Sequence, residues 1–387
     1  MAERQEHQGK KKKAKVRRFY DYSLVFTIIF LILFGLVMIY SSSSYSAQLT
    51  YDGDSFHFVR RQGLIALGSL AVMIAISKMD YHFFARFARF SYILSYILMF
   101  LVMTIGKTIN GQKRWLGVGN MTIQPTEFVK IALILYLSAI IVKMGKRVNK
   151  KEGLWAIAIR TFPIGAIVAV NNLSSGLIIM GIGFVMAFVA SKRKAPFLAC
   201  AGLVLAAYFT AGPIVEFIYS KNPDIGYRLS RILVWRDPEA FATGSGYQVL
   251  QGLYAIGSGG LWGKGLGESV QKLGFLPEAE NDMIFSVICE ELGLFGAVSI
   301  ILVFLFMIYR FMVIANNAPD LFGAMLVVGV MGHIAIQVIL NIAVVTNTIP
   351  NTGITLPFIS YGGTSVLFLM AEMGMVLSVS NQIKLEK

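Results

Sequence analysis

About ten long apolar segments constrain the fold of this chain more than any other feature of its sequence. The chain has 387 residues, of which 56% are hydrophobic and 14% are charged, so its apolar runs are too long and too many for a soluble core. Most of them reach the roughly 18 residues that a helix needs to cross a bilayer. The segments are Ser23–Tyr40, Leu64–Ile76 with flanks, Tyr92–Ile105 with flanks, Pro125–Val142, Leu154–Val170, Leu173–Ala190, Phe197–Phe217, Met283–Tyr309, Leu321–Val345 and Tyr361–Val379.

These segments predict an all-α polytopic membrane protein of about ten transmembrane helices. Lipid offers no hydrogen-bond partners to the backbone, so each lipid-exposed span is expected to be a helix, and strands are not expected. The predicted organisation is a basic tail over 1–20, a membrane domain over 21–382 and a short tail over 383–387. A large extracytoplasmic loop, at about 218–282, is predicted between helices 7 and 8.

The formal net charge of +14 is explained by membrane topology. Basic clusters precede the first span and follow the fourth and sixth, which places all of them on one side of the membrane. By the positive-inside bias that side is cytoplasmic, and an even number of spans puts both termini there. Nucleic-acid binding is not expected. The clusters are Lys10–Lys13 with Lys15, Arg17 and Arg18, then Lys143, Lys146, Arg147, Lys150 and Lys151, then Lys192–Lys194.

The first span is expected to be an anchor, because no small-residue cleavage site follows it. The two cysteines, Cys200 and Cys289, both fall in spans. Neither a disulfide framework nor a metal cluster is therefore implied.

The long outer loop is rich in glycine, in stretches 244–246 and 257–267. Between them, Tyr247 to Ile256 predicts a short amphipathic helix. The glycines permit tight turns, and no Walker spacing is present, so the pattern favours a role in loop folding over a nucleotide site.

Three further polar segments, 111–115, 171–176 and 347–361, are expected to converge on the outer face. The last contains prolines and glycines close to membrane depth, where irregular backbone needs a protein or water lining. It is either a re-entrant loop that caps the bundle or one wall of a polar cavity.

Charged residues inside spans are costly and point to function or to structural pairs. Glu127 and Lys130 are three residues apart on one face of the fourth span, so they can form an ion pair or orient an anionic ligand. Glu290 and Glu291 lie two turns inside the eighth span, and their partners are expected from another helix. His333 lacks a metal-ligand partner at helical spacing, which favours a packed, hydrogen-bonded residue.

Asp282 stands at the water–lipid boundary, immediately before the eighth span. From the residues alone, a helix N-cap is the favoured explanation, because a carboxylate there accepts from free helix amides. Neither a Ser-His-Asp order nor a His-Glu-x-x-His spacing is present, so hydrolase and protease functions lack their basic parts.

Ordered motifs along nearly all the spans resemble the SEDS family of cell-wall polymerases, which includes FtsW, RodA and SpoVE. Residues 265–269 and 271–273 are more similar to the FtsW and SpoVE branch than to RodA. The motifs are Arg114-Trp115, Gln124-Pro125-Thr126-Glu127, Lys130, Gly246-Tyr247-Gln248, residues 255–260, Leu276-Pro277-Glu278, Asp282, Ile284-Phe285, Glu290-Glu291-Leu292-Gly293, Asn341, Pro350, Thr352-Gly353, Leu356-Pro357-Phe358 and Ser360-Tyr361-Gly362-Gly363.

The chain departs from the family pattern at two places. Asn172 stands where the family commonly has an acid, so that carboxylate is missing from this chain. The segment Glu280-Asn281-Asp282-Met283 keeps the family's central carboxylate while its neighbours change.

The resemblance implies a peptidoglycan glycosyltransferase of the bacterial cytoplasmic membrane. It would join lipid II units outside the membrane during cell division or sporulation and release undecaprenyl diphosphate. A single inverting displacement needs one base for the acceptor hydroxyl, and diphosphate leaves as a stable anion without an acid partner. Asp282 is the candidate base. Glu127 and Lys130 match residues important in the family and are the other catalytic candidates.

Several further residues are candidates for substrate binding, and the basic ones among them, together with Lys130, would neutralise diphosphate. A divalent cation, Mg or Mn, could share that task, although no metal site is identified and no organic cofactor is expected. The implied partners are lipid II, a class B penicillin-binding protein acting as transpeptidase, and divisome proteins. The substrate-binding candidates are Lys113, Arg114, Arg228, Arg231, Gln248, Ser360 and Thr364.

Two other classes of function compete with the enzyme. A lipid II flippase would also need polar groups inside a bundle. The concentration of polar residues on the outer half and the lack of an evident inverted repeat count against it. A structural scaffold for the division machinery would leave Glu127, Lys130 and Asp282 unexplained.

Overall fold

The computed structural model describes residues 19–109, 112–118, 121–222 and 226–384, apart from the side chains at 109, 112, 118, 121, 227 and 228. Within these ranges ten helices are long and apolar enough to cross a membrane, which confirms the predicted multi-pass helical fold. The basic cluster at 10–18 lies outside the described residues. The helices are α1 (Tyr22–Thr50), α2 (His57–Lys78), α3 (His82–Ile105), α4 (Pro125–Met144), α5 (Lys151–Asn171), α6 (Leu173–Ala190), α7 (Ala195–Lys221), α8 (Gly226–Arg236), α9 (Tyr247–Gly259), α10 (Ile284–Asn316), α11 (Leu321–Val345) and α12 (Gly363–Gln382).

Burial separates central helices from peripheral ones. In the most apolar window of α11 and of α12, 67% of the residues are buried, whereas the corresponding figure for α7 is 11%. Because all these helices are apolar around their whole circumference, exposure of apolar side chains on α7 indicates a lipid-facing position. The polar groups of α4, α11 and α12 are therefore held inside the protein.

Small residues allow the central helices to pack closely. A Cβ on Gly329 would lie 2.6 Å from the side chain of Ile134 on α4, and one on Gly332 would lie 3.1 Å from the side chain of Val185 on α6. Membrane helices use such positions to bring their backbones together, since apolar burial alone does not drive association in lipid.

The bundle has two distinct ends. The loop end carries the described residues of segments 106–124, 171–173, 222–283 and 346–362, and the basic end carries the clusters at 143–151 and 191–195. At the basic end the amide of Phe19 donates to the carbonyl of Ile383 over 3.0 Å. The two ends of the described chain thus meet on one side, as an even number of crossings requires.

A small antiparallel sheet at the loop end was not expected from the sequence. Its strands are β1 (Lys107–Ile109), β2 (Gln112–Val118) and β3 (Met121–Ile123), in the order β1-β2-β3. The argument against strands holds for lipid-exposed spans. This segment lies between α3 and α4, where the strands satisfy one another's backbone groups.

Helix α10 is broken at Gly293, whose φ is 66°. The loop that follows α9 crosses the break, and we call residues 259–265 the crossing segment. The amides of Lys264 and Gly265 donate to the carbonyls of Glu290 and Glu291 over 2.9 and 3.0 Å. In the other direction the amide of residue 294 donates to the carbonyl of residue 260 over 3.0 Å. The backbone groups freed by the break therefore have partners.

Glycine is required on both sides of this contact. A Cβ on Gly263 would lie 2.2 Å from the carbonyl oxygen of Glu291, and one on Gly293 would lie 2.4 Å from the amide nitrogen of Gly263. Both glycines also have positive φ, which side chains disfavour. The predicted role of the glycine-rich stretch in loop folding is thus confirmed.

Glu290 and Glu291 lie about two turns inside α10, as predicted. Both precede Gly293, in the half of α10 that is buried inside the protein. The half that follows is long enough, at about 1.5 Å per residue, to cross the hydrocarbon core alone. The sequence did not predict the break that separates the two carboxylates from this second half.

Candidate functional site

Asp282 lies at the loop end, next to residues of two helices, α9 and α11, and of the segment 346–362. Gln248 of α9 lies with its Nε2 3.5 Å from Oδ1 of Asp282. Asn341 of α11 donates to the backbone carbonyl of Asp282 over 2.9 Å. A Cβ placed on Gly353 would lie 3.5 Å from Oδ2, so this glycine leaves space beside the carboxylate.

Asp282 is not a helix cap, which corrects the explanation favoured from the residues alone. The N-cap of α10 is Met283, and no side chain caps this helix. Because α10 begins one residue later than a cap at Asp282 would require, the carboxylate turns to Gln248 and away from the free amides of the first turn.

The environment of Asp282 raises the pKa of its carboxyl to about 7. Burial is the main cause, and the negative charges of Glu278 and Glu280 add to it, while the positive charge of Arg231 opposes the rise. Burial and Glu278 also raise the pKa of Glu280. A carboxyl with a pKa near neutrality can exchange protons at physiological pH.

Asn351 connects the neighbours of Asp282 to one another. Its Nδ2 donates to Oε1 of Gln248 over 2.9 Å, and its backbone carbonyl accepts from Nη1 of Arg231 over 2.8 Å. The Gln248 amide is thereby oriented with its donor toward Asp282. Gln248 and Arg231, both predicted site residues, are thus brought together around the candidate base.

The segment 346–362 folds back into the bundle. Ser360 Oγ accepts from the Leu356 amide over 2.8 Å and donates to the Asn281 carbonyl over 2.7 Å. A Cβ on Gly35 of α1 would lie 2.7 Å from the Phe358 carbonyl oxygen. The segment therefore has a protein lining on at least two sides. Both of these partners of Ser360 Oγ are backbone groups, and its predicted role in substrate binding stays a prediction.

The predicted pair of Glu127 and Lys130 is confirmed. Oε2 of Glu127 and Nζ of Lys130 are 2.8 Å apart, and both side chains are buried. Nζ of Lys130 also lies 3.4 Å from Oε1 of Gln337, whose Nε2 donates to the carbonyl of Thr355 over 3.0 Å. The pair is therefore tied to the re-entrant segment 346–362.

The three outer polar segments converge, as expected. Nε of Arg114 donates to the carbonyl of Asn171 over 3.2 Å, and Ser174 donates to the carbonyl of Thr352. Asn172, which replaces the acid common in the family, caps α6 by accepting from the Ser175 amide. An amide thus performs locally the capping that an acid could also provide.

Three predicted substrate-binding residues have other placements. Lys113 donates through Nζ to the carbonyls of Met103 and Thr104 over 2.9 and 2.7 Å, at the end of α3. Thr364 Oγ1 is buried at the start of α12 without a hydrogen-bond partner. Arg228 belongs to α8, but its side chain lies outside the described residues.

Glu290 and Glu291 have partners that the sequence did not indicate. Glu290 pairs with Lys264 over 2.6 Å, and Glu291 pairs with Lys272 over 2.7 Å. Ser41 of α1 also donates to Glu291 over 2.6 Å. The expectation of partners from another helix is confirmed in part: Ser258 of α9 donates to Oε1 of Glu290 over 3.3 Å, and Ser41 lies on α1. The two lysines come from the loop between α9 and α10.

The described residues contain no group of three His, Cys, Asp or Glu side chains placed to hold a metal ion. Glu278, Glu280 and Asp282 lie close together in sequence but do not form such a group. A cation held by the protein alone does not fit this arrangement, and the chemistry proposed below contains no step through one.

Sequence reasoning did not assign site roles to Asn351, Gln337 or Lys272. A polar residue four positions after His333 on an apolar helix was a usable signal for Gln337. Lys272 and Glu291 are 19 residues apart, with a loop and the first turns of α10 between them, so no local pattern indicated their pairing.

A family model described as cell cycle protein, covering FtsW, RodA and SpoVE, matches residues 22–385. Stage V sporulation protein E of Bacillus subtilis (strain 168) is 38% identical over 364 residues, which cover 93% of this chain and 96% of that protein. The probable peptidoglycan glycosyltransferase FtsW of the same organism is 36% identical over 377 residues, which cover 96% of this chain and 93% of that protein.

Two solved structures have similar folds. One concerns the coordination of polymerization and crosslinking by a peptidoglycan synthase complex, and it matches with a TM-score of 0.73 and 27% identity over 94% of this chain and 98% of that chain. The rod shape determining protein RodA of Thermus thermophilus matches with a TM-score of 0.64 over 95% of this chain and 98% of that chain. At 24% identity, the second likeness concerns the fold alone.

Proposed function

This chain belongs to the family of FtsW, RodA and SpoVE, and on that premise we propose that it is a peptidoglycan glycosyltransferase. It polymerises lipid II into glycan strands on the outer face of the bacterial cytoplasmic membrane, during cell division or sporulation, and releases undecaprenyl diphosphate. Relatives named as peptidoglycan glycosyltransferases support this assignment.

The observation that carries the proposal is the buried carboxyl of Asp282, whose pKa is about 7. A general base works best when its pKa lies near the operating pH. In the proposed step, the acceptor sugar hydroxyl oxygen attacks the anomeric carbon of the donor and its proton passes to Asp282. The bond from that carbon to the diphosphate oxygen breaks at the same time, and diphosphate leaves with the electron pair.

The leaving diphosphate needs positive charge on the side of the sugar opposite the attacking hydroxyl. Arg231 and Arg114 lie at the loop end and are the cations proposed to meet it. Lys113 is proposed to meet the diphosphate only after its side chain has moved, because its ammonium group donates to carbonyls at the end of α3. A divalent cation, Mg or Mn, would have to be held largely by the diphosphate itself, and this part of the proposal is tested by chelation.

Glu127 and Lys130 are proposed to act near the substrate as a pair. Lys130 is already neutralised by Glu127, so it cannot also neutralise diphosphate without breaking that pair. We assign the pair to the orientation of the re-entrant segment through Gln337.

The proposed topology places the loop end outside and the basic end in the cytoplasm. The basic clusters at 143–151 and 191–195 lie at the end of the bundle where Phe19 meets Ile383. By the positive-inside bias this end faces the cytoplasm, and both termini are therefore cytoplasmic. Lipid-linked sugars on the outer face would then meet Asp282 directly.

The proposed partner is a class B penicillin-binding protein that crosslinks the new strand, together with other divisome proteins. Support comes from the structural neighbour that concerns polymerization and crosslinking in one complex. No role for nucleic acid is proposed, because topology accounts for the basic residues.

Purified protein in liposomes, with lipid II added to the outer leaflet only, tests the activity. Glycan chains should form with the wild-type protein and should be absent with Asp282→Asn. Movement of lipid II across the bilayer without polymer would instead identify a flippase. Neither polymer nor movement, in the presence of the partner transpeptidase, would favour a scaffold.

A further inference from the structure

Helix α11 carries three polar residues on one face inside the membrane domain. His333, Gln337 and Asn341 follow one another at intervals of four residues, which places them in a row along the helix. They are 1%, 6% and 0% exposed. Buried polar side chains are costly unless they are hydrogen-bonded, so this row, which we call the α11 spine, needs an explanation.

The α11 spine connects four other parts of the protein. His333 Nδ1 lies 2.8 Å from Oε2 of Glu372 on α12. Gln337 reaches Lys130 on α4 and the Thr355 carbonyl of the re-entrant segment. Asn341 donates to the carbonyls of Ile354 and Asp282 over 2.6 and 2.9 Å. One row of side chains therefore links the bundle interior to the candidate base.

The contacts determine how the Gln337 amide is oriented. Its Nε2 must face Thr355, because a carbonyl oxygen can only accept a hydrogen bond. Its Oε1 then faces His333 Nε2 at 2.9 Å and Lys130 Nζ at 3.4 Å. An amide oxygen only accepts, so His333 must carry a proton on Nε2.

The same reasoning applies at the other ring nitrogen. Since Nε2 of His333 is a donor, one proton lies between Nδ1 and Oε2 of Glu372, held by either group. In both arrangements the pair has no net charge, and Nε2 keeps its proton. While this proton is shared with Glu372, Nε2 of His333 stays a donor, and His333 in turn fixes the Gln337 amide.

We infer that His333 and Glu372 are positioning residues for the transferase reaction, acting through Gln337 and the re-entrant segment on Asp282 and Lys130. This inference rests on the proposed function for its catalytic readout. The donor at His333 Nε2 holds Gln337 in the orientation that binds the Thr355 carbonyl. The adjacent carbonyl, that of Ile354, is held by Asn341, which also binds the Asp282 backbone. Loss of the donor is expected to loosen the segment beside Asp282.

The test compares three variants with the wild-type protein. Glu372→Gln keeps a donor toward Nδ1 of neutral His333, so turnover should stay within about two-fold of wild type. His333→Leu with Glu372→Leu removes the pair without leaving an unpaired charge, which often preserves stability. This double variant should nevertheless lose about 10-fold to 100-fold in kcat at similar KM, because misplacement by about 1 Å is enough for such losses. Gln337→Met should cause a similar loss.

Combining Gln337→Met with the double leucine variant should give no further loss, because all three side chains act in one series. Ser138→Ala is the matched control. Ser138 is buried on α4, but its hydroxyl donates to the Ile134 carbonyl of its own helix over 2.7 Å. Its kcat should be unchanged.

Hydrogen exchange of residues 346–362 gives a second readout that does not depend on activity. Exchange should be faster in the double leucine variant and in Gln337→Met, but not in Glu372→Gln or Ser138→Ala. Full turnover and unchanged exchange in the double leucine variant would show that the pair only fills space, and would overturn the inference. A loss in Glu372→Gln equal to that of the double variant would also overturn it. If wild-type protein made no glycan, the proposed function would fail, and the exchange pattern would still decide the role of the α11 spine.

Discussion

Nε2 of Gln248 lies 3.5 Å from Oδ1 of Asp282, and the other atom of the same amide, Oε1, accepts from Asn351. This long contact is the one side-chain hydrogen bond to the Asp282 carboxylate among the described residues. One long hydrogen bond compensates little for the loss of water around a buried carboxylate, so the protonated form is favoured. The consequence is a carboxyl with a pKa of about 7.

The rate of glycan synthesis should therefore rise with pH through about 7, because a base must be deprotonated to accept the hydroxyl proton. Asp282→Asn cannot accept that proton and should abolish synthesis at every pH while the protein stays folded. Initial rates from purified lipid II across pH 5.5 to 8.5, at roughly 0.5-unit steps, provide the measurement. A mutant with near wild-type rates would remove Asp282 from the role of base.

Folding stability should depend on pH in the opposite direction. The Asp282 carboxyl binds its proton up to about pH 7 in the folded protein, compared with 3.8 for the ordinary group. Its contribution to stability is therefore fully present below pH 3.8 and is lost as pH rises through about 7. The difference in Tm between wild type and Asp282→Asn should change over that window, and a constant difference would contradict the raised pKa.

Two charge-removing variants should shift the pH dependence of the rate in opposite directions. Arg231 lowers the pKa of Asp282, so Arg231→Gln should move the rising part of the pH profile to higher pH. Glu278 raises that pKa, so Glu278→Gln should move it to lower pH. Each profile is measured at saturating lipid II, where changes in binding do not contribute. Shifts of the same sign in both variants would show that the charges do not act on Asp282.

Alanine substitutions at the break in α10 should destabilise the protein strongly. Gly263→Ala and Gly293→Ala each place a Cβ within 2.4 Å of backbone atoms at a positive φ. We expect each to cost at least about 2 kcal/mol, or to prevent folding. Gly257→Ala is the matched control, because it lies in α9 with nothing within 4 Å of the added Cβ. Thermal unfolding in detergent should show Gly257→Ala at or above the wild-type Tm.

The buried pair of Lys272 and Glu291 should contribute far more to stability than an exposed pair. Its side chains are 5% and 0% exposed, so Lys272→Met should cost about 3–5 kcal/mol by leaving Glu291 unpaired. Arg60 and Asp54, at 65% and 36% exposed, are the comparison, and Arg60→Ala should cost about 1 kcal/mol or less. Adding Glu291→Met to Lys272→Met should recover most of the loss, as measured by thermal unfolding. Equal losses at the two pairs would contradict this ranking.

The local sequence pattern was sufficient to predict contacts between residues that are close in sequence. The spacing of Glu127 and Lys130 on one helix predicted their ion pair, and the amphipathic pattern in 247–256 predicted α9. The apolar runs gave the ten spans, because lipid imposes one solution on each.

Local pattern failed where partners are distant or the backbone is irregular. Ser41 and Glu291 are separated by 250 residues, and nothing in either neighbourhood indicates that they meet. His333 and Glu372 pair across two helices whose relative rotation no single-helix pattern determines. The break at Gly293 lies in an apolar run that is otherwise continuous, so the sequence predicted an unbroken span.

The break in α10 also determines which parts of the protein a displacement of this helix would affect. Its lipid-facing half and its buried half meet at Gly293, and the crossing segment forms backbone hydrogen bonds with both halves. A displacement of the lipid-facing half would therefore act on the crossing segment as well as on the buried half, which begins beside Asp282.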